Sequence, residues 1–386
     1  MRQLVILAAL LASRPAYAQE DPAPPPPEIP VEAPRPALSN SSKEFVRFAF
    51  NFYSQKDGGG NPHLDEDMTV FEPQVLIGQT LSESWHGSLK LQGDIISAAS
   101  VEKGKRFPQG TQSGASGDKF FGVEAAAFYA WSDQTTVGGG LSLSTEYDYT
   151  SVGAFIRWTH DTADKNDTFV ARLSVFSDTL DLILFDGSED GSDTRRSLSL
   201  GLGWTHVIGP RTLGTLNWDL TTQNGFLSTP YNSVVAAGTE VREVLPDSRF
   251  RNSIFGRIRH LLFEDLAIEP GAGVYFDDWG ATAFNFEMSA TWEALPGTMF
   301  VRTAYRFHSQ TEVDDFVPDS AAIIPELRTQ DSDLADFTSH TVGLKFIFPQ
   351  APFLGENHEV EAGFEYTMRS DDLDALGFTL GYQWRF

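Results

Sequence analysis

Residues 378–386 alternate without a break: Phe378, Leu380, Tyr382, Trp384 and Phe386 fall on one side of a strand, and Thr379, Gly381, Gln383 and Arg385 fall on the other. An aromatic face backed by a face that carries a charge fits a wall between lipid and a wet lumen. A sandwich edge strand can alternate in the same way, so the rest of the chain has to decide.

It repeats the pattern. From residue 44 onward there is no helical period, only alternating segments of about ten residues, the length a tilted membrane strand needs. They are 44–54, 68–80, 85–97, 120–131, 135–145, 149–160, 167–178, 195–207, 212–221, 251–262, 265–276, 281–292, 297–308, 338–348, 358–369 and 375–386. The expected fold class is all-β: a transmembrane antiparallel β-barrel of about 16 strands, an even number as single-chain bacterial barrels have. Connections should then alternate long and short. Long candidates are 55–67, 98–119, 179–194, 222–250 and 309–337, and all fall on the same end of the barrel; one turn on the opposite end, 349–357, is longer than expected.

The N-terminus reads as a cleaved signal peptide over 1–18: Arg2, an apolar run from Leu4 to Ala12, and Ala16-Tyr17-Ala18. Residues 19–43 form a disordered, proline-rich, acidic tether, either a plain linker or a holder for a periplasmic partner. There is no cysteine, which excludes disulfides and thiolate metal sites. Mean hydropathy of -0.22 hides no contradiction, since barrel strands are half polar. A net charge of -25 argues against nucleic acid. The implied setting is the bacterial outer membrane, among lipid and lipopolysaccharide, with both termini periplasmic.

Alternation assigns faces. Leu198, Leu200, Leu202 and Trp204 point to lipid, as do Phe284, Phe286, Met288 and Trp292. Lumen positions include Arg47, Lys90, Arg157, Arg172, Arg195, Arg257, Arg259, Arg302, Arg306, Lys345, Arg369 and Arg385, against Asp94, Glu124, Asp219, Glu269, Glu287, Glu361 and Glu365. The wall is therefore net basic in an acidic chain. The acid collects in two loops, around Asp178 to Asp193 and Glu312 to Asp336. Two readings stand side by side: a lumen field that favours anions, or a ladder of paired charges such as Arg302 or Arg306 with Glu287. The acidic loops fit a solvated surface or a calcium site, although no EF-hand spacing is present. At the mouth, Arg249 and Arg251 close the longest loop. Arg249 can pair with Asp247, Asp277 or Asp278, to constrict the bore or to anchor the loop. In Asp277-Asp278-Trp279-Gly280, Gly280 suits a tight turn and Trp279 a membrane interface.

No phosphate loop, HExxH or G-x-S-x-G motif occurs, and no cofactor is implied. The eight histidines form no HxH or HxxxH pair, so no metal site is expected. His308-Ser309 is the nearest approach to a hydrolase site, but adjacent strand residues face opposite ways.

The final strand resembles the C-terminal recognition strand of bacterial outer-membrane barrels, which implies that Phe378, Leu380, Tyr382, Trp384 and Phe386 form the signal read by the barrel-assembly machinery. Further residues, Asp148-Tyr149-Thr150-Ser151, Asn224-Gly225 with Pro230-Tyr231, Pro246 to Arg251, Tyr275 to Gly280, and Tyr305 to Gln310, resemble a domain-of-unknown-function family of bacterial outer-membrane barrels. That resemblance implies the fold and the membrane, and no established activity.

The expected function is porin-like passage of small hydrophilic solutes. Arg257, Arg259, Arg302, Arg306, Lys345, Glu287, Glu361 and Glu365 would line the pore; Arg249, Arg251, Asp277 and Asp278 would shape the mouth. The alternatives are a plugged structural barrel that binds a partner through its tether or acidic loops, and a membrane-embedded hydrolase.

Overall fold

The computed structural model describes residues 44–58, 64–65, 67–98, 101–102, 119–318, 320–351 and 354–386. The signal peptide, the tether up to residue 43 and most of the 98–119 connection lie outside them.

The chain folds into a closed antiparallel barrel of sixteen strands. In chain order they are β1 Phe45–Asp57, β2 Met68–Thr80, β3 Trp85–Ala98, β4 Lys119–Ala130, β5 Thr135–Thr145, β6 Tyr149–Asp161, β7 Asp167–Ile183, β8 Glu189–Gly209, β9 Thr212–Gly225, β10 Ser248–Leu261, β11 Leu266–Asp277, β12 Thr282–Leu295, β13 Met299–Gln310, β14 Phe337–Phe348, β15 His358–Arg369 and β16 Leu373–Arg385. Every alternating segment read from the sequence overlaps one of them. Each strand pairs with its sequence neighbours, and β16 closes on β1 with Phe45 opposite Arg385. No edge is left unpaired, which is what allows a sheet to cross lipid.

Burial is inverted relative to a water-soluble protein. Large apolar side chains such as Leu141, Ile156, Leu198, Ile258, Phe284 and Phe378 are exposed on the outside, while Arg172, Asp178, Arg195, Arg249, Arg259 and Glu361 are buried on the inside. In water, so large an apolar surface would drive aggregation; in a bilayer it meets its own kind of solvent. Among the described residues no helix is long and apolar enough to cross a membrane; strands cross it instead.

The end that carries Phe45 and Arg385, the terminal rim, has an aromatic belt. Trp158 stacks on His160 with centroids 5.6 Å apart, Trp204 lies 5.7 Å from His206, Trp384 lies 6.4 Å from His358, and Trp85 packs at 5.1 Å on Tyr129. Trp204 and Trp292 each donate their indole N–H to an aspartate, Asp167 and Asp265. Rings with one apolar side and one wet edge belong at a lipid–water boundary.

At the opposite end, the loop rim, the structure corrects the sequence reading. Residues 179–194 are no loop: β7 and β8 continue past the apolar band as a hairpin that turns at 184–188. Two further long connections form structure of their own. Residues 226–247 contain a hairpin, Ser233–Ala236 with Thr239–Arg242, and residues 311–336 contain a short 3-10 turn, Ser332–Leu334. The backbone bridge Val244–Arg328 joins the two, and Phe316–Thr329 closes the second on itself. Together they make one packed unit at the loop rim, the lid.

Candidate functional site

The inner wall near the terminal rim is a ladder of charge set by strand parity. Lys345 on β14 and Arg47 on β1 both bind Glu361 on β15, at 3.0 and 2.6 Å. Arg385 on β16 pairs with Glu359. Glu269 on β11 stands 3.4 Å from Arg257 on β10 and 3.4 Å from Arg302 on β13, and Arg302 also donates to Ser289 Oγ at 3.0 Å. One level up, Arg306 lies 3.9 Å from Glu365 and opposite Glu287 in the β12–β13 register. Lys345 stands opposite Arg302 between β13 and β14. The pore-lining set read from the sequence is thus brought onto one contiguous arc of wall. Charges pair along this wall, with Glu269 as a carboxylate at Arg302. On the facing arc, Arg172 lies 3.6 Å from Glu124 and 3.7 Å above the ring of Phe155.

The loop rim is built differently, from three buried arginine–aspartate pairs. Arg195 donates to Asp178 at 3.0 Å, and both side chains are 1% exposed. Arg249 donates through two nitrogens to Asp277 Oδ2, at 2.9 and 2.6 Å, and lies 4.1 Å over the Trp279 ring. Arg369 binds Asp333 and also Asp371, the latter at 2.6 Å, and sits 3.8 Å over Phe337. Forked guanidinium–carboxylate contacts give both strength and direction. The third pair ties the lid to an inward-facing wall residue, Arg369, and the second joins the loop-rim ends of β10 and β11 beside it. Gln310 adds two bonds of 2.8 Å, to the carbonyls of Asp333 and Ala335.

Apolar contacts complete the lid. Leu245, Trp279, Ala281 and Val313 form one core, with Leu227, Tyr275, Phe316 and Leu334 around it. Val234, Ala236 and Val317 form another. Trp279, in the β11–β12 turn, is therefore buried against the lid and donates to the Ser248 carbonyl at 2.8 Å; it is not an interface anchor. Its indole suits either place; the lid core wins because Leu245 and Val313 are brought to it. Gly280 has φ of +90°, as the turn required. Asp278 accepts the Phe250 N–H at 2.8 Å.

The acidic segments are partly consumed in this scaffold. Asp190 binds Arg242 at 3.0 Å, and Asp331 caps the 3-10 turn while accepting from Asn232. Hydrogen bonds from Ser188 hold the Asp186 carboxyl below the usual aspartate range. Burial, then the neighbouring Asp314 charge, push Asp315 above it. Sequence reasoning missed Glu243, which accepts from Thr229 N and Thr329 Oγ1, both at 2.6 Å, and Gln330, which binds Val235 and the Val317 carbonyl. These partners are far apart in the chain, and no local signal marks them.

His308 bonds Asn285 at 2.7 Å and Gln310 at 3.1 Å through its two ring nitrogens, so no Ser–His pair forms with Ser309. Among the described residues no three His, Asp or Glu side chains converge to hold a metal ion.

Gly225 is the hinge where β9 enters the lid. Its φ is +115°, and an added Cβ would sit 2.1 Å from the Thr194 carbonyl oxygen. Gly225→Ala is expected to destabilise the loop rim by about 1–3 kcal/mol. Earlier protease cutting within 226–247, with the heat-resistant barrel intact on a gel, would show it.

A family model described as "Protein of unknown function (DUF3570)" matches residues 27–383. No curated protein matches the chain. Among solved structures, a bacterial polysaccharide outer membrane secretin is similar over 89% of this chain and 99% of its own, at 10% identity and a TM-score of 0.52. OccK1 (OpdK) of Pseudomonas aeruginosa is similar over 88% of this chain and 98% of its own, at 9% identity and a TM-score of 0.43. The toluene transporter TodX of Pseudomonas putida is similar over 91% of this chain and 92% of its own, at 10% identity and a TM-score of 0.45. At these identities the likeness is one of fold alone: an outer-membrane barrel.

Proposed function

We propose that this chain, which belongs to the family described as protein of unknown function (DUF3570), is an outer-membrane channel for small hydrophilic solutes, narrowed at one mouth by its own lid. The observation that carries the reading is the charged inner wall. Rows of Arg, Lys and Glu on the inward face need water or ions beside them, because charges without such solvation are costly. A ring of sixteen strands leaves room for an aqueous bore. In this reading the terminal rim faces the periplasm and the lid faces outward, among lipopolysaccharide. The outward row Phe378, Leu380, Tyr382, Trp384 and Phe386 serves as the mark for the assembly machinery, and the 19–43 tether is free to meet a periplasmic partner.

The test is single-channel recording from the refolded mature protein under a salt gradient. Steady openings on the order of a nanosiemens support the channel. Arg302→Gln with Arg306→Gln is expected to move the reversal potential toward cation preference; an unchanged potential would remove those two residues from the selectivity.

The buried ion pairs and apolar cores of the lid favour a second reading, a plugged barrel whose role is structural. Silence from a correctly folded barrel would favour it, and capture of a stoichiometric periplasmic protein by the tether would then identify its use.

A further inference from the structure

Arg259 stands outside the pairing of the wall ladder near the terminal rim. Arg195, Arg249 and Arg369 each face aspartate, and Arg47, Arg257, Arg302, Arg306 and Arg385 each face glutamate. Arg259 has neither an ion pair nor a hydrogen bond to any described residue, although its side chain is inward-facing and the residue is only 8% exposed. It lies within electrostatic reach of Glu269, Arg302 and Arg257. Three guanidiniums therefore surround one carboxylate, and that carboxylate is already shared between two of them at 3.4 Å each. The neighbouring carboxylates do not supply the missing charge: Glu361 is shared by Lys345 and Arg47, and Glu359 holds Arg385. Glu293, on the inward parity of β12, accepts the Gly297 N–H at the terminal-rim turn.

The carboxylate opposite Arg259 in the β10–β11 register, Glu269, is the one that Arg257 and Arg302 already share, and like charges held close on neighbouring strands are destabilising unless an anion lies among them. On its other side β9 presents Leu213 opposite Arg259, which offers no charge. We propose that Arg257, Arg259 and Arg302 form a binding site for a small oxyanion, a carboxylate or a phosphate group, near the terminal rim of the lumen. A guanidinium presents a planar fork that matches either group with two parallel hydrogen bonds. Arg259 supplies the unengaged fork, and Arg257 and Arg302 supply the positive field. The inference rests on the reading that the lumen is open to water, and it narrows the solute class of the channel to anions.

Binding is measured by titration calorimetry on the detergent-solubilised mature protein at low salt, with inorganic phosphate and with succinate as probes. Saturable binding is expected, with succinate and phosphate competing. Arg259→Gln is expected to weaken it about tenfold or more, the loss of a charge-assisted hydrogen bond. Arg259→Lys, which keeps the charge and loses the fork, is expected to fall between the two. Lys90→Gln, on β3 across the barrel, should leave binding unchanged. Equal binding by wild type and Arg259→Gln, or no binding to wild type, overturns the site. Should Arg259→Gln fail to fold, the Arg259→Lys titration decides in its place. Conductance is recorded separately. A conducting barrel without saturable binding discards the site and keeps the channel; a silent barrel that binds phosphate through Arg259 keeps the site and discards the channel.

Discussion

Arg249→Ala is expected to undock the lid and raise single-channel conductance several-fold, with the barrel itself intact. The guanidinium makes two hydrogen bonds to Asp277 Oδ2, and the Asp277 side chain is 0% exposed. Removing the cation leaves a buried carboxylate without its counter-charge, a loss of about 3 kcal/mol or more. Asp277 keeps hydrogen bonds from Tyr275 Oη, Trp279 N and Ala281 N, so the turn itself should survive. What does not survive is the platform under Trp279, whose ring lies 4.1 Å from the guanidinium carbon and packs against Leu245 and Val313 from the two lid segments. Lid docking is one local equilibrium, so a loss of this size is enough to reverse it. Protease cutting within 311–336 should rise in step with conductance. Arg249→Lys keeps the charge but loses the fork and should be intermediate. If Arg249→Ala leaves both cutting and conductance at wild-type levels, the pair does not hold the lid.

How much of this was legible depended on where the lipid is. Within the apolar band every second side chain must be apolar, so Leu198, Leu200 and Leu202 announce β8, and the sixteen segments could be read from alternation alone. Past the band both faces of a strand meet water or the lid, and the constraint lapses. Residues 179–183 and 189–194 are strand for that reason without looking like it. Arg249 and Asp277 were recognisable as partners because both sit at the ends of adjacent strands. Glu243 and Thr329, 86 residues apart, were not, since nothing local demands their contact. The positions of Arg257, Arg259 and Arg302 on one wall follow from parity. That Glu269 serves two of them and leaves Arg259 alone is a matter of side-chain reach, which alternation does not encode.

Asp178 and Arg195 set the second large effect, on stability. Both side chains are 1% exposed, joined at 3.0 Å between β7 and β8, with Tyr149 Oη 3.4 Å from the guanidinium. They sit beside an apolar cluster of Tyr149, Leu180 and Leu182, against which Phe226 from the lid packs. Arg195→Ala is expected to cost about 3–5 kcal/mol, since it strands Asp178 in a site that water does not reach. Asp178→Asn should cost less: an amide oxygen can still accept from Arg195, and no unpaired carboxylate is created. The double variant Arg195→Met with Asp178→Leu separates charge from packing. If the penalty of the single change is the orphaned charge, the double variant should recover most of it, because the surrounding cluster is already apolar. Urea unfolding of the barrel from lipid vesicles provides the measurement. Were Arg195→Ala to unfold at the wild-type urea concentration, the pair would be solvated in the membrane-bound protein. The β7–β8 hairpin would then owe its extension beyond the band to backbone pairing alone.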